Sequence, residues 1–295
     1  MHVLITGAGS FIGRFTTEAF SSAGLRVTAT YYSESKEIQS LRGISNAPEL
    51  IRLDLGNKKS YDKLPNSIDA VVHIAGLSNM PGCTVEDILN CNVNGTRNIQ
   101  EYALLSNACC LIYMSSLMVH GHITVPVVDE TIPIIDPDIY GASKFLGERI
   151  LAATTDRLPV AAVRLPGVLG PGAGRAWIPK LFKQLNNHQD VTIVNPEAKF
   201  NNAIHVLDVA DFILTILAGN RLSGFHAFPL ASSGTRTIRE IAEYLKEATK
   251  SHSKIMVDNS RLHSFTICSE YAVKNFGYCP KDISETLKHY TIDAL

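Results

Sequence analysis

His2-Val3-Leu4-Ile5-Thr6-Gly7-Ala8-Gly9-Ser10-Phe11-Ile12-Gly13 runs from a short apolar strand through a glycine-rich turn into a segment of helical spacing at residues 15–23, which stops at Gly24. A backbone that approaches a pyrophosphate needs this order. Residues without a Cβ admit the phosphates, and the helix N-terminus offers free N–H groups and the positive end of its dipole. Gly7, Gly9 and Gly13 answer the first need; Ser10, Phe11 and Ile12 stand at the second. The spacing G-x-G-x-x-x-G is one residue longer than the common G-x-G-x-x-G turn. Its place between a first strand and a first helix reads as dinucleotide binding, although glycine turns also occur at such joints in other α/β proteins.

Working outward, residues 26–31, 50–55, 70–75, 110–115 and 160–165 are further strand segments, each almost continuously apolar. A long helical stretch covers residues 85–107, and another contains Tyr140. Buried strands alternating with helices indicate an α/β protein of Rossmann type, a doubly wound parallel sheet covered on both faces. Beyond Gly170-Pro171-Gly172 the alternation ends. Helices at residues 177–186, 208–218 and 238–250, a strand at 191–194 and two short C-terminal helices suggest a smaller C-terminal lobe. The expected division is residues 1–165 for the sheet domain and 166–295 for the substrate lobe, with a return to the sheet near 205–215.

Composition narrows the function classes. The 295 residues are 45% hydrophobic and 19% charged, with 27 Lys plus Arg against 28 Asp plus Glu, so the net charge is -1. That balance draws the chain neither to nucleic acid nor to an anionic membrane. Cys83, Cys91, Cys109, Cys110, Cys268 and Cys279 include no C-x-x-C pair, and are expected to be reduced core thiols with no metal site. The opening strand leaves no room for a signal peptide and no apolar run is long enough to span a bilayer, so a cytoplasmic protein is expected.

Chemistry is concentrated at strand ends and on one helix. Tyr140 and Lys144 lie four residues apart, one helical turn on a common face. A phenol titrates near pH 10, and a neighbouring cation brings it toward the working range of a proton donor or acceptor. Ser116 closes a strand 24 residues earlier, at the carboxyl edge where ligands of open α/β sheets bind, and could hold the same substrate oxygen. Asp54 ends a strand and reads either as a contact to an adenine amino group or as a turn aspartate. His73-Ile74-Ala75-Gly76 reads either as a close cofactor approach or as a core histidine before a loop glycine. Asn92-Val93-Asn94-Gly95-Thr96 interrupts a helix with residues of low propensity, which points to a bend or to a polar contact under the site.

These segments, with Val119-His120-Gly121, the stretch 164–171 and His205-Val206-Leu207-Asp208-Val209-Ala210, occur in the order and spacing of the extended short-chain dehydrogenase/reductases. Over about residues 1–215 the chain resembles their nucleotide-sugar epimerase and reductase branch, the NAD-dependent epimerase/dehydratase family. The resemblance implies an NAD- or NADP-binding Rossmann domain and a lobe that closes over a nucleotide-linked sugar. Tyr140 would carry the proton, Lys144 would hold the nicotinamide ribose and Ser116 would orient the sugar oxygen. Asp54 and Leu55 would face adenine, Ala75, Gly76 and Asn92 would line the cofactor, and Pro166 and Val168 would approach the nicotinamide. Ser78, His120, Gly167 and Asn201 would fall on the substrate side. Glu148 occupies a position where the family tends to carry an acid, and is expected to be solvated. Homodimerisation through the long helices is a further family expectation.

Departures shape the activity expected. Ser10 stands where the family has its second turn glycine, His120 where a tyrosine is common, Gly167 where many members have asparagine, and Asn201-Asn202 where an arginine often meets a diphosphate. Leu117-Met118 follow Ser116 in place of the acidic pair of dehydratases, which argues against elimination of water. The second strand ends in Tyr31-Tyr32-Ser33 without an acid for the adenosine ribose, which slightly favours NADP, with Tyr31 and Ser33 near it. The expected activity is reduction of the 4-keto group of a nucleotide-activated sugar. The alternatives are a nucleotide-sugar 4-epimerase like UDP-glucose 4-epimerase on the same Ser116, Tyr140 and Lys144, and a non-catalytic NAD(P)-binding sensor or interaction protein.

Overall fold

A computed structural model describes residues 1–174, 176–219, 222–258, 260 and 263–295. Its centre is one wholly parallel sheet of seven strands: β1 (His2–Thr6), β2 (Arg26–Tyr31), β3 (Glu49–Arg52), β4 (Ala70–His73), β5 (Cys110–Ser116), β6 (Val160–Leu165) and β7 (Phe225–Pro229). Their spatial order is β7-β6-β5-β4-β1-β2-β3, so the winding direction reverses between β1 and β4. A reversal of this kind opens a crevice at the carboxyl ends of the strands. All residues of β4 and β6 are buried, which is why these strands read as unbroken apolar runs.

Side chains alternate between two cores. Val3 and Ile5 of β1 join Phe20, Ile38, Val163 and Ile213 on one face, whereas Leu4 joins Val71, Ile99, Leu111 and Leu151 on the other. Helix α1 (Phe11–Ser22), α2 (Lys36–Arg42) and the later Val206–Gly219 helix supply the first face. The second is covered by α4 (Gly95–Leu105) and α5 (Ile139–Ala152), with α3 (Val85–Leu89) packed beside α5. α1 starts at Phe11, four residues before the expected helix, because Ser10 caps it. The stretch expected as one helix at 85–107 contains a π-helical turn at Asn90–Asn94. α2 and β7 are additions to the sequence reading: α2 has only seven residues, and β7 is an edge strand closed by Pro229, a residue that weakens a strand pattern.

After β6 the chain builds a third core from Ile178, Phe182, Ile193, Ile241, Leu245, Ile283 and Leu287, carried largely by helices α6 (Trp177–Asn186), α8 (Ile238–Ala248) and α10 (Ile283–Ala294). Between α6 and α8 it returns to the sheet, packs α7 (Val206–Gly219) against α1, and adds β7; α9 (Glu270–Phe276) follows α8. Thr237 opens α8 with a reciprocal capping box to Glu240.

All six cysteines are free, and none is fully buried; Cys109 and Cys279 are exposed. The expectation of core thiols is corrected to surface and half-buried ones, since Cys109 lies before the start of β5 rather than inside it. No helix among the described residues is long and apolar enough to cross a membrane.

Candidate functional site

The glycine turn is a cradle fixed by close backbone approaches. Gly7 has φ +78°, and a Cβ there would lie 2.8 Å from the backbone of Ala75. A Cβ on Gly13 would overlap the Gly7 carbonyl oxygen. Ser10 adopts extended φ/ψ and its Oγ accepts from the Gly13 N–H at 3.1 Å, so a serine replaces the family's glycine without strain and caps α1. The N–H groups of Phe11 and Ile12, in the first turn, have no intrahelical acceptor and open toward the crevice end of the sheet. A turn with this shape and these donors fits the pyrophosphate of a dinucleotide.

Behind it, a buried hydrogen-bond chain joins three elements. Thr6 Oγ1 accepts from the N–H groups of Ile74 and Ala75 (both 3.1 Å), so its proton goes to His73 Nδ1 at 2.7 Å. The other ring nitrogen then carries hydrogen and donates to Thr96 Oγ1 (3.1 Å), which donates to the Asn92 carbonyl (2.6 Å). Burial, reinforced by Lys144, pushes the His73 pKa down to about 3 and keeps the ring neutral. Of the two readings open for His73, the structure builds the core histidine.

Asn92 lies in the π-helical turn, a common device for turning one side chain out of a helical face. Its Oδ1 accepts from Leu77 N–H (2.7 Å) and its Nδ2 donates to Leu77 O and to Ser143 Oγ (both 2.8 Å). The expected cofactor contact at Asn92 is therefore replaced by a brace, because its donors are consumed by the loop after β4 and by α5. Asn92→Ala strands the Leu77 N–H and is expected to cost about 1–3 kcal/mol. A urea titration checks this through a lower midpoint at unchanged slope.

The Tyr140 helix is set by its glycines. Asp138 caps α5 through Gly141 N–H (2.7 Å), and a Cβ on Gly141 would overlap the Met118 carbonyl. Gly141 thus lets α5 start directly on the 3₁₀ turn Leu117–His120, whose N-cap is Ser116, with Ser116 Oγ accepting from Met118 N–H at 3.2 Å. Gly147 makes a similar approach to the Tyr113 hydroxyl. Ser116 and Tyr140 are half-buried; Lys144, one turn on, is buried with its Nζ 4.5 Å above the Tyr113 ring. Lys144 Nζ and Asn92 Oδ1 each lie 3.2 Å from where a Gly76 Cβ would be, so a larger residue there would press on both side chains. Burial lowers the Lys144 pKa to about 8, against the pull of Cys91 and Glu148 that favours its charge. Above that pH the cation is lost.

Glu148 overturns the expectation of a solvated acid. It is 1% exposed, and Arg164 grips it through Nε to Oε1 (3.0 Å) and Nη2 to Oε2 (2.8 Å), while Ser115 Oγ donates to Oε1 at 2.6 Å. Arg164 Nη1 also donates to His120 Nε2 (3.3 Å), and His120 Nδ1 faces the Pro133 carbonyl at 3.5 Å. His120 is fully buried, so the expected substrate contact there is corrected to a neutral link in this network, its pKa lowered by burial and by Arg164. A signal was present in the sequence. Arg164 is the one charge inside an apolar strand, and such a charge needs a buried partner.

Other expected contacts divide. Asn201 is buried and saturated: Nδ2 donates to Ser232 O (3.0 Å) and Ile267 O (2.8 Å), and Oδ1 accepts from Ile267 N–H (2.8 Å). It ties loops of the C-terminal lobe together, which corrects the expected substrate role. The Leu55 side chain is in the second core under Gly95, and its carbonyl accepts from the Tyr61 hydroxyl (3.1 Å) and Asn98 Nδ2 (2.8 Å), while exposed Asp54 turns the chain by accepting from Gly56 N–H (3.0 Å). Gly167 and Val168 form a short parallel pair with Ala203 and Ile204, next to half-exposed Pro166. Ala75 and Ser78 are half-buried beside exposed Gly76, and Ser33 is exposed. At the end of β2, Tyr31 donates to Glu34 Oε1 (2.7 Å), and Arg42 holds both carboxylate oxygens of Glu34 (2.7 and 3.0 Å), a corner containing an acid that the reading of Tyr31-Tyr32-Ser33 passed over.

Among the described residues, His205, His289 and Asp293 form the one grouping of metal-ligand type. Leu207 N–H donates to His205 Nδ1 (3.4 Å), which leaves the proton on Nε2, 3.2 Å from Asp293 Oδ2. That nitrogen is buried and makes no hydrogen bond, and the His205 and His289 rings stack at 4.0 Å.

UDP-N-acetyl-alpha-D-glucosaminuronate decarboxylase of Bacillus cytotoxicus is 28% identical over 274 residues, spanning 86% of this chain and 82% of that one. The dTDP-4-dehydro-6-deoxy-D-allose reductase of a Streptomyces species is 25% identical, over 88% of this chain and 84% of its own. Among solved structures, UDP-glucuronic acid 4-epimerase of Bacillus cereus in complex with NAD has the same fold, with a TM-score of 0.82, 20% identity and coverage of 99% of this chain and 98% of that one. The profile of the NAD dependent epimerase/dehydratase family matches residues 3–226. The chain belongs to the NAD dependent epimerase/dehydratase family.

Proposed function

We propose that the chain is an NAD(P)-dependent reductase of the 4-keto group of a nucleotide-activated sugar. The observation that supports this reading is the Gly141 approach to the Met118 carbonyl, which seats the start of α5, with Tyr140 and buried Lys144, on the 3₁₀ turn that Ser116 caps at the carboxyl end of β5. The glycine turn and the first turn of α1 would hold the pyrophosphate, and Lys144 and the small loop residues Ala75 and Gly76 would receive the nicotinamide ribose. When bound, the dinucleotide supplies the hydride. Ser116 would hold the carbonyl oxygen by its hydroxyl while Tyr140 delivers the proton to that oxygen, and the Lys144 cation favours the phenolate left behind. Leu117 and Met118 bring no acid next to Ser116, so this site is not read as one that eliminates water.

The relatives support the class of substrate. They include a nucleotide-sugar decarboxylase, a dTDP-sugar reductase and UDP-glucose 4-epimerases, one of them, from Yersinia enterocolitica, 27% identical over 83% of this chain. We infer NADP use from Arg42 and Arg52 at the β2 corner, where Arg52 Nε donates to Tyr32 O (3.1 Å) and Arg42 pairs with Glu34. Glu34 favours the second reading, a 4-epimerase that retains NAD, since a carboxylate there can take the ribose hydroxyls and repel a 2′-phosphate.

One experiment separates them. Purified protein is expected to be inactive on a panel of 4-keto nucleotide sugars until NADPH is added, and to consume it stoichiometrically. Protein that carries tightly held NAD and interconverts 4-epimers without added cofactor would make it the epimerase. Cofactor binding without turnover of any sugar nucleotide would point to the sensor.

A further inference from the structure

We propose that Glu148 is the positioning residue of the site, one buried carboxylate that fixes Ser116 through Ser115, the end of β6 through Arg164, and Lys144 by sharing its helical face. This rests on the reading of Ser116, Tyr140 and Lys144 given above. Glu148 follows Lys144 by four residues and Tyr140 by eight, so the three stand on successive turns of one face of α5. Its two oxygens receive three donors from two neighbouring strands, and those donors are themselves in register, Ser115 opposite Arg164. The carboxylate therefore closes a clamp over β5, β6 and α5 at one level of the sheet.

Each grip reaches a residue of the site within one step. Ser115 precedes Ser116, so its 2.6 Å bond sets where β5 ends and where the Ser116 hydroxyl starts the 3₁₀ turn. Arg164 passes the hold to His120 at the far end of that turn, pinning both ends of Ser116–His120 to one ion pair. Arg164 also stands two residues before Pro166. Lys144 is enclosed by the Tyr113 ring of β5, by Asn92 and Cys91 of the π-helical turn, by neutral His73 of β4, by the Gly76 loop and by Tyr140 on its own helix. Glu148 is the carboxylate that acts on it, and that attraction favours the ammonium form against burial.

A structural brace and a positioning carboxylate differ in what they do to the lysine proton. The midpoint of Lys144 is read from the pH titration of lysine labelled with carbon-13 at Cε, the resonance identified by its loss in Lys144→Arg. Glu148→Gln is expected to move that midpoint to lower pH and to pull in the alkaline limb of kcat/KM by the same amount. Glu148→Gln leaves Arg164 without its counter-charge and could fail to fold, so the double variant Glu148→Gln/Arg164→Gln, which leaves no uncompensated ion, is measured beside it and is expected to show a smaller drop in the same direction, because the repulsion of Arg164 is removed together with the attraction of Glu148. An unchanged Lys144 midpoint in a folded variant overturns the proposal. Failure of the reaction assignment looks different: turnover would survive Tyr140→Phe, while the Lys144 titration would still respond to Glu148.

Discussion

Phenylalanine at position 140 is expected to lower turnover of a 4-keto nucleotide sugar by about 10²–10⁴-fold, the usual worth of one positioned proton donor, with cofactor affinity and thermal stability close to those of the parent. The confinement of the loss to turnover follows from how Tyr140 is built in. Its backbone is untouched by the exchange: the carbonyl accepts from Ser143 Oγ at 2.7 Å, and the helix cap runs from Asp138 to Gly141. The ring is half-buried and is kept in the variant, so only the hydroxyl is lost. Stopped-flow measurement of nicotinamide absorbance under single-turnover conditions gives the chemical step directly. Undiminished turnover on the true substrate would remove Tyr140 from the mechanism.

Valine at position 13 is expected to damage the cofactor site and the fold together. Its Cβ would overlap the Gly7 carbonyl oxygen, and both partners are backbone, so neither yields by a change of rotamer. Overpacking of this kind costs about 1–3 kcal/mol, read as a lower denaturation midpoint. The larger effect is on the turn, since displacing the donors by about 1 Å is enough for a loss of roughly 100-fold. Titration of NADPH fluorescence should therefore show binding lost from the accessible concentration range. Gly9→Ala is the control for the fold: the nearest protein atom to its new Cβ is Ile38 Cγ1 at 3.4 Å, an ordinary contact, so the denaturation midpoint should stay close to that of the parent. Equal losses of stability from the two substitutions would mean that the turn is not held by close backbone approach.

The sheet was legible in the sequence because its strands are buried on both faces and say so as unbroken apolar runs; the segment from Val160 to Leu165 is a strand with those bounds. β7 escaped because an edge strand is held from one side only and ends in proline. Glycines that permit close backbone approach, such as Gly7 and Gly13, were also legible, since glycine at a strand end has few other uses. Polar side chains were not. Asn92, His120 and Asn201 read as groups awaiting a ligand and Glu148 as a solvated acid, and each is consumed by protein groups distant in sequence. Periodicity assigns a face to a residue on a helix, but which strand lies under that face is a tertiary fact. Arg164 shows how the inference could run the other way, from an isolated charge in a buried strand to the acid it must meet.

The π-helical turn at Asn90–Asn94 amounts to one residue more than a regular helix would hold. Because each residue of an α-helix advances the face by about 100°, removing any one residue between 90 and 94 should not simply shorten the helix. Its downstream half would have to rotate against the upstream half, taking Thr96, Ile99 and Ala103 off the sheet, or else the turn would relax to ordinary helix and Asn92 would lose its reach to Leu77. The segment should therefore be intolerant of deletion while accepting side-chain exchange at exposed Asn94, an asymmetry that a scan of single-residue deletions across α3 and α4 would expose.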